Sequence, residues 1–338
     1  IRWRYMLRMM PWLSAFLFGC TGVQQHRTAQ AMASLLSGTT GAYDALVKGT
    51  SADELIRRNG ALGISRTNEW FAADGWRREL NASLGAEMQE LAPDEIRQME
   101  PALSNEVRRA MYYPKAYGAT DPALLTRRIV DGIVAQGGNF VKAEVHGIGI
   151  ENGRPTTVTT DRSELKVDRL VIAAGAYSHR IARMMGIRVL LDTERGYHAD
   201  IDNIDTGLTR TLLHGEHAIA VNPSPNGVRI AGTVEFGGLD APPNDDRARA
   251  VWRRGRTVLK KLQGIESPKM TFWMGCRPTM PDYRPVIGAA PGVTNCWFAF
   301  GHQHLGMTLA ARTGEILVDL VGGRDPGIDL EPFRADRF

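Results

Sequence analysis

Three segments of this 338-residue chain combine residue types that could do chemistry. In Gly275-Cys276-Arg277-Pro278, followed by Pro281-Asp282 and Arg284-Pro285, two arginines stand among prolines that fix the backbone. A guanidinium held still is suited to gripping a carboxylate through paired hydrogen bonds. An ordinary surface loop with an exposed arginine has the same spacing. The second segment is Gly301-His302-Gln303-His304-Leu305-Gly306-Met307-Thr308, between an apolar strand and a helix. Its backbone N–H groups and the helix dipole behind them could stabilise negative charge. His302 and His304 suggest a metal, but two histidines lack the third ligand of a catalytic site and no acidic residue stands near, so none is expected. The third segment is Ala173-Ala174-Gly175-Ala176-Tyr177-Ser178. Small side chains there admit a ligand or another backbone. A tight strand-to-helix turn accounts for them equally well.

The elements that must position these segments follow from periodicity. Apolar residues of Trp3 to Phe18 form a run too short to span a bilayer, which needs ~20 residues. It reads first as a core or cap helix broken at Pro11. The second reading is a helix lying on a membrane surface, with Arg2, Arg4 and Arg8 at the headgroups. Apolar residues at three- and four-residue steps predict a helix over 23–48, with shorter helices over 67–83 and 93–100. Asp121 and Pro122 open another, with Leu125, Ile129, Ile133 and Val134 as its buried stripe. A strand running to Val145 leads into a hairpin turned at Asn152-Gly153. Leu170 to Ala174 reads as a strand buried on both faces. From about residue 181, short alternating segments predict an antiparallel sheet interrupted by a helix over 244–262. A strand at Trp297 to Phe300, a glycine turn and a helix from Gly306 to Val321 complete a cofactor-binding arrangement. Gly147, Gly149 and Gly153 are spaced GxGxxxG and lead into a hairpin, not a helix, so they are not a dinucleotide fingerprint.

Composition bounds the class. Hydrophobic residues are 43% and charged residues 23%, ordinary for a globular enzyme of about two domains. The net charge of +4 comes from scattered arginines with no basic stripe, which argues against nucleic-acid binding. Cys20, Cys276 and Cys296 make an odd number without CxxC spacing, which fits a reducing, cytoplasmic compartment.

Taken together, LVIAAGAYS (170–178), LDTERGYHADI (191–201), RIAGTVEFGGLD (229–240), WMGCRPTMPDYRPVIG (273–288) and FAFGHQHLGMTLAARTGEILVDLVGG (298–323) closely resemble the D-amino-acid oxidase superfamily of flavoenzymes, and within it the bacterial D-amino-acid dehydrogenases. The resemblance implies an α/β fold: a Rossmann-like FAD-binding domain interleaved with a mixed antiparallel-sheet substrate domain. The expected division is 1–105, a mostly helical cap; 106–180, part of the FAD domain; 181–272, the substrate sheet; and 273–338, a return to the FAD domain. It implies that Val145 meets the adenine end of FAD, that Ala174 and Gly175 approach its ADP part, and that Gly301 to Thr308 line the flavin ring. Arg277 would hold the substrate carboxylate, and Tyr197 and His198 would wall its pocket. The implied reaction is oxidation of a small D-amino acid to a keto acid and ammonia, with electrons passed to a quinone or carrier and possible peripheral contact with the inner face of a membrane through residues 3–18.

Two departures accompany the resemblance. The family opens on a βαβ unit with GxGxxG, which this sequence lacks, so an N-terminal truncation is expected. Gln303 stands where relatives often have glycine. Alternatives within the superfamily are oxidation of glycine, sarcosine or hydroxyproline. An alternative of another class is a non-catalytic piece without stable FAD. Related sarcosine oxidases bond a cysteine of a similar segment to the flavin, whereas Cys276 is read as an inert thiol.

Overall fold

The computed structural model describes residues 2–266 and 268–338. The first run folds as one continuous helix, α1 (Trp3–Gly19), with Pro11 inside it rather than breaking it. Pro11 has no N–H for the Leu7 carbonyl, but both residues lie on the exposed side, where water can take that oxygen. Met9 and Trp12 are buried, while Trp3, Leu7, Leu17 and Phe18 are exposed. The side chain of Arg4, grouped above with Arg2 and Arg8, lies outside the described residues. No single described helix is long and apolar enough to cross a membrane.

The expected helix over 23–48 is two, α2 (Gly22–Leu36) and α3 (Thr39–Val47). The chain turns between them at Gly38, where a Cβ would lie 2.9 Å from Nε of Arg312. Then come β1 (Ile56–Arg57), β2 (Ala61–Ser65), α4 (Asn68–Ala73), α5 (Gly75–Ser83), β3 (Gln89–Leu91), α6 (Pro93–Met99), β4 (Arg109–Tyr113) and β5 (Gly118–Ala119). In α7 (Pro122–Ala135), Oδ1 of Asp121 accepts from the N–H groups of Ala123 and Leu124, both at 3.0 Å, which caps the first turn. Leu125 is sealed, but Ile133 and Val134 are exposed, so the predicted stripe is covered only at its start.

Residues 138–144 form no strand; β6 (Val145–Glu151) begins at Val145 and pairs with β7 (Arg154–Thr160). Asn152 and Gly153 both take positive φ, 49° and 72°, as a tight hairpin turn requires. These strands and β8 (Glu164–Lys166) make a separate sheet. The rest of the chain runs β9 (Leu170–Ile172), α8 (Ser178–Met184), β10 (Asp192–Asp202), β11 (Thr211–His214), β12 (Ile219–Ser224), β13 (Gly227–Phe236), α9 (Asp245–Gly255), β14 (Met270–Thr279), β15 (Val286–Ala289), β16 (Cys296–Phe300) and α10 (Gly306–Val321). Helix α9 is shorter than the predicted 244–262 and ends at Gly255, where a Cβ would meet Ile230 at 2.5 Å.

Two sheets position the site. The larger has eight strands in the order β14-β10-β13-β12-β11-β2-β4-β3, antiparallel except for the parallel β11–β2 pair. Its core includes Leu62, Ile201, Leu212 and Ile230 with Trp252 of α9 against them. Burying each such side chain contributes roughly 1.5–3 kcal/mol. The strand pairing corrects the expected division of the chain. Residues 109–113, placed with the cofactor domain, are the central partner of β2 and β3 in this sheet. Residues 273–279, placed there too, continue β14 along β10. The smaller sheet is β15-β16-β9, with β9 parallel to β16. It buries Ile172, Phe298 and Phe300. Val171 is 39% exposed, so β9 is covered on one face, not the predicted two.

Candidate active site

β16 delivers the chain to a turn at Gly301, and α10 starts at Gly306 as the sequence predicts. Gly301 and Gln303 take φ of +86° and +51°, a region that favours glycine, so the turn is held by its surroundings. His302 is locked from below: its Nε2 lies 3.1 Å from Oγ1 of Thr313, and burial pushes its pKa down to about 4. The imidazole is therefore neutral near pH 7. Leu305, at the N-cap of α10, offers no side-chain cap, and the first turn, with Met307 and Thr308, carries no acidic residue. Its N–H groups are free to face an anionic oxygen.

The turn after β9 packs beside this one. Ala174 leads into a short 3-10 turn, Gly175–Tyr177, which packs against β14. Gly175 has φ +54° with no atom within 4 Å of a Cβ position, so open space lies in front of its backbone. An isolated bridge between Thr279 and His302 ties the end of β14 to the second turn. Val145 stands apart, in the β6–β8 sheet.

Arg277 lies on β14, across from Glu194 of β10. Its guanidinium lies over Gly196: a Cβ there would sit 2.3 Å from Cζ, so only glycine leaves the room. Nη1 donates to the carbonyl of Thr233 at 3.1 Å. Burial lowers the Arg277 pKa and nearby Glu194 raises it. Beside it, Trp273 lies over Gly275, where a Cβ would sit 2.0 Å from the ring. A guanidinium and an indole thus share a two-glycine floor. His304 keeps an exposed ring, and its pKa is lowered first by desolvation and then by the charge of Arg277.

Not every expected residue joins this group. Successive side chains of a strand face opposite sides, so Tyr197 and His198 cannot both wall one pocket. Tyr197 faces away from the Gly196 side and is 2% exposed; its OH donates to Oε2 of Glu235 at 2.6 Å. Glu235 also pairs with Arg2 at 2.9 Å and with the fully buried Arg195 at 3.2 Å. Tyr197 therefore belongs to a buried charge network behind the site. His198 does share the Gly196 face. Its ring stacks on Trp273 at 4.9 Å, and its Nε2 lies 3.2 Å from Asp200. Three neighbours of Arg277 were missed by the sequence reading: Glu194, Gly196 and Tyr283. Tyr283 has a left-handed φ of +64° and donates its OH to Oε1 of Glu194 at 3.0 Å. The glycine within Glu-Arg-Gly-Tyr, breaking an otherwise bulky strand, is the signal that could have found Gly196.

Fold and turns together define an α/β oxidoreductase of the kind that lays a dinucleotide cofactor along a strand–glycine–helix turn. The chain belongs to the FAD dependent oxidoreductase family, whose model matches residues 12–320. It is 34% identical to a D-amino-acid oxidase of Bradyrhizobium diazoefficiens over 341 residues, covering 100% of this chain and 80% of that protein. It is 28% identical to a D-amino acid dehydrogenase of Xanthobacter autotrophicus, covering 98% and 79%. Its fold is similar to glycine oxidase from Geobacillus kaustophilus, with a TM-score of 0.79 at 21% identity over 90% of this chain and 82% of the other. It is also similar to L-proline dehydrogenase from P. horikoshii, with a TM-score of 0.80 at 20% identity over 94% and 86%.

FAD is the cofactor of this family, and the two turns fit it. The uncapped start of α10 offers donors, Gly175 leaves room, and the buried Nε2 of Gln303 has no partner among the described residues. Cys276 is excluded from this side. It pairs across the sheet with Arg195, so it faces away from Arg277. FAD is therefore expected to be held without a covalent bond. Acid precipitation of the FAD-loaded protein releases all the yellow colour; colour kept in the pellet and lost in Cys276→Ser would contradict this.

Proposed function

We propose that the enzyme oxidises D-amino acids, with Arg277 taking the substrate carboxylate. The observation that carries this reading is a half-buried guanidinium, fixed over Gly196 beside the cofactor turn, whose only hydrogen bond among the described residues is to the Thr233 carbonyl. Its remaining donors suit a carboxylate bound through two parallel bonds. Trp273 bounds the same floor. When bound, FAD supplies the ring that accepts a hydride from the substrate Cα. The residues of this chain fix the substrate in front of it: Gly301 to Thr308, with Ala174 and Gly175, would hold the cofactor, and Arg277 sets the orientation of the amino acid. Water then converts the imine product to a keto acid and ammonia. The names of the two relatives quoted favour a D-amino acid over glycine or sarcosine. The electron acceptor is a quinone or carrier; in support, α1 exposes Trp3, Leu7, Leu17 and Phe18, and no Asp or Glu precedes Asp44.

The test is anaerobic mixing of the FAD-loaded protein with D-alanine, L-alanine, glycine or sarcosine while the flavin absorbance is followed. D-Alanine is expected to bleach it fastest, and a soluble quinone to restore the colour faster than oxygen. Bleaching by glycine or sarcosine with D-alanine inert would move the enzyme to the alternative reading.

A further inference from the structure

Glu194 is a charged neighbour of Arg277 that the reading above leaves without work. The two are register partners on β10 and β14, so their side chains rise from the same face of the sheet. They nevertheless do not neutralise each other. The guanidinium swings over Gly196 to the Thr233 carbonyl, beyond the 4.0 Å of an ion pair with Glu194; burial raises the Glu194 pKa, and the Tyr283 hydrogen bond and the Arg277 charge offset this only in part. Glu194 is 5% exposed, and its one hydrogen bond comes from the Tyr283 hydroxyl to Oε1. Oε2 has no partner among the described residues, yet it is not among the unpartnered atoms sealed from solvent. Nε and Nη2 of the guanidinium, which have no partner among the described residues, are likewise not sealed.

A buried carboxylate and a half-buried guanidinium, side by side and each with unused hydrogen-bonding capacity, are costly to leave so. Their charges match the two ends of one small molecule. We propose that Glu194 binds the α-ammonium group of the substrate while Arg277 binds its carboxylate; the ammonium gives up one proton to water before a hydride leaves Cα, so that the nitrogen lone pair can form the imine. The inference rests on the amino-acid reading of this site and deepens it: the pocket takes zwitterions, and a hydroxy acid or plain carboxylate satisfies only half of it. Tyr283 is a positioning residue, since its hydroxyl fixes Oε1 and leaves Oε2 for the ligand. Phe16 of α1 meets the Tyr283 ring edge-on at 5.7 Å, which holds that phenol in place.

The probe is 2-aminoisobutyrate, a zwitterion with no hydrogen on Cα and therefore not oxidised, set against 2-methylpropanoate, its analogue without the amine. Dissociation constants are measured by titration calorimetry on the FAD-loaded wild type, Glu194→Gln and Arg277→Met. Glu194→Gln keeps the size of the side chain and an oxygen for Tyr283. It is expected to weaken 2-aminoisobutyrate roughly 10- to 100-fold, the worth of a hydrogen bond between charged groups. It is expected to leave 2-methylpropanoate unchanged or bound more tightly, because a repelling carboxylate is gone. Arg277→Met weakens both. Equal loss of both ligands in Glu194→Gln, or no loss of either, would overturn the role of Glu194 while leaving the amino-acid reading standing. A wild type that binds neither ligand overturns both. If Glu194→Gln fails to fold, Tyr283→Phe is expected to show the same split between the two ligands at smaller amplitude, and equal effects on both would again overturn it.

Discussion

Arg277→Met is expected to raise the apparent KM for the amino-acid substrate by about thirtyfold to several thousandfold while FAD stays bound. The range corresponds to ~2–5 kcal/mol, the cost of removing one member of a buried, hydrogen-bonded charge pair and leaving the other without a partner. Methionine fills much of the same space over Gly196, so the floor is kept and only the charge and its fork of donors are lost. Steady-state kinetics with D-alanine, read beside the flavin spectrum, check this. A KM within threefold of wild type would remove Arg277 from the site. A colourless variant would show instead that the guanidinium supports the cofactor turn.

The second large effect concerns stability. Asp282 stands between Arg277 and β15, and its carboxylate accepts from Arg337 at 2.8 and 2.9 Å and from Arg284 at 2.8 Å. Its side chain is 8% exposed. Burial alone would raise its pKa, but the hydrogen bonds and charge of Arg337, then Arg284, bring it below the usual carboxylate range. A carboxyl whose folded pKa is depressed stabilises the fold at pH values above its unfolded pKa. That contribution is lost as pH falls through the folded value. Asp282→Asn is expected to cost about 3–5 kcal/mol at pH 7, since two guanidinium groups lose their shared anion. Tm is expected to fall by roughly 10 °C. The gap between variant and wild type begins to narrow near the unfolded pKa of Asp, about 4, and closes only as pH falls through the lower folded value. Thermal melts at pH 7 and at successive steps below about pH 4 test both parts, and a gap that stays constant down the whole series would refute the assignment.

Local signals in the sequence were enough for local structure. Asp121-Pro122 started α7, Asn152-Gly153 turned the hairpin, and Gly306 to Val321 bounded α10 as expected. Each of these depends on a few adjacent residues. What could not be read depends on register between distant strands. The parallel pair β2–β11 draws residues 61–65 into the substrate sheet, and no local pattern announces a partner so far along the chain. The same holds at the site. Arg277 stood out by its neighbours in sequence, whereas Glu194 and Gly196 become its companions only through the β10–β14 pairing. The placement of Tyr197 beside His198 failed for a simpler reason. Alternation along β10 gives one of them to the floor and the other to the charge network behind it, and which face is which depends on the sheet.

The bridge between Thr279 and His302 joins the strand that bears Arg277 to the loop that precedes α10. A single residue, Pro278, separates Arg277 from that junction, and the Trp12 indole donates to the Thr279 carbonyl at 3.0 Å, pinning it from the other side. The distance between Arg277 and the loop before α10 is thus set by a backbone bridge rather than by the angle of a hinge. If Arg277 takes the substrate carboxylate as proposed, the bridge fixes the width of the gap a substrate must span, and a longer side chain gains no room by prying the two halves apart.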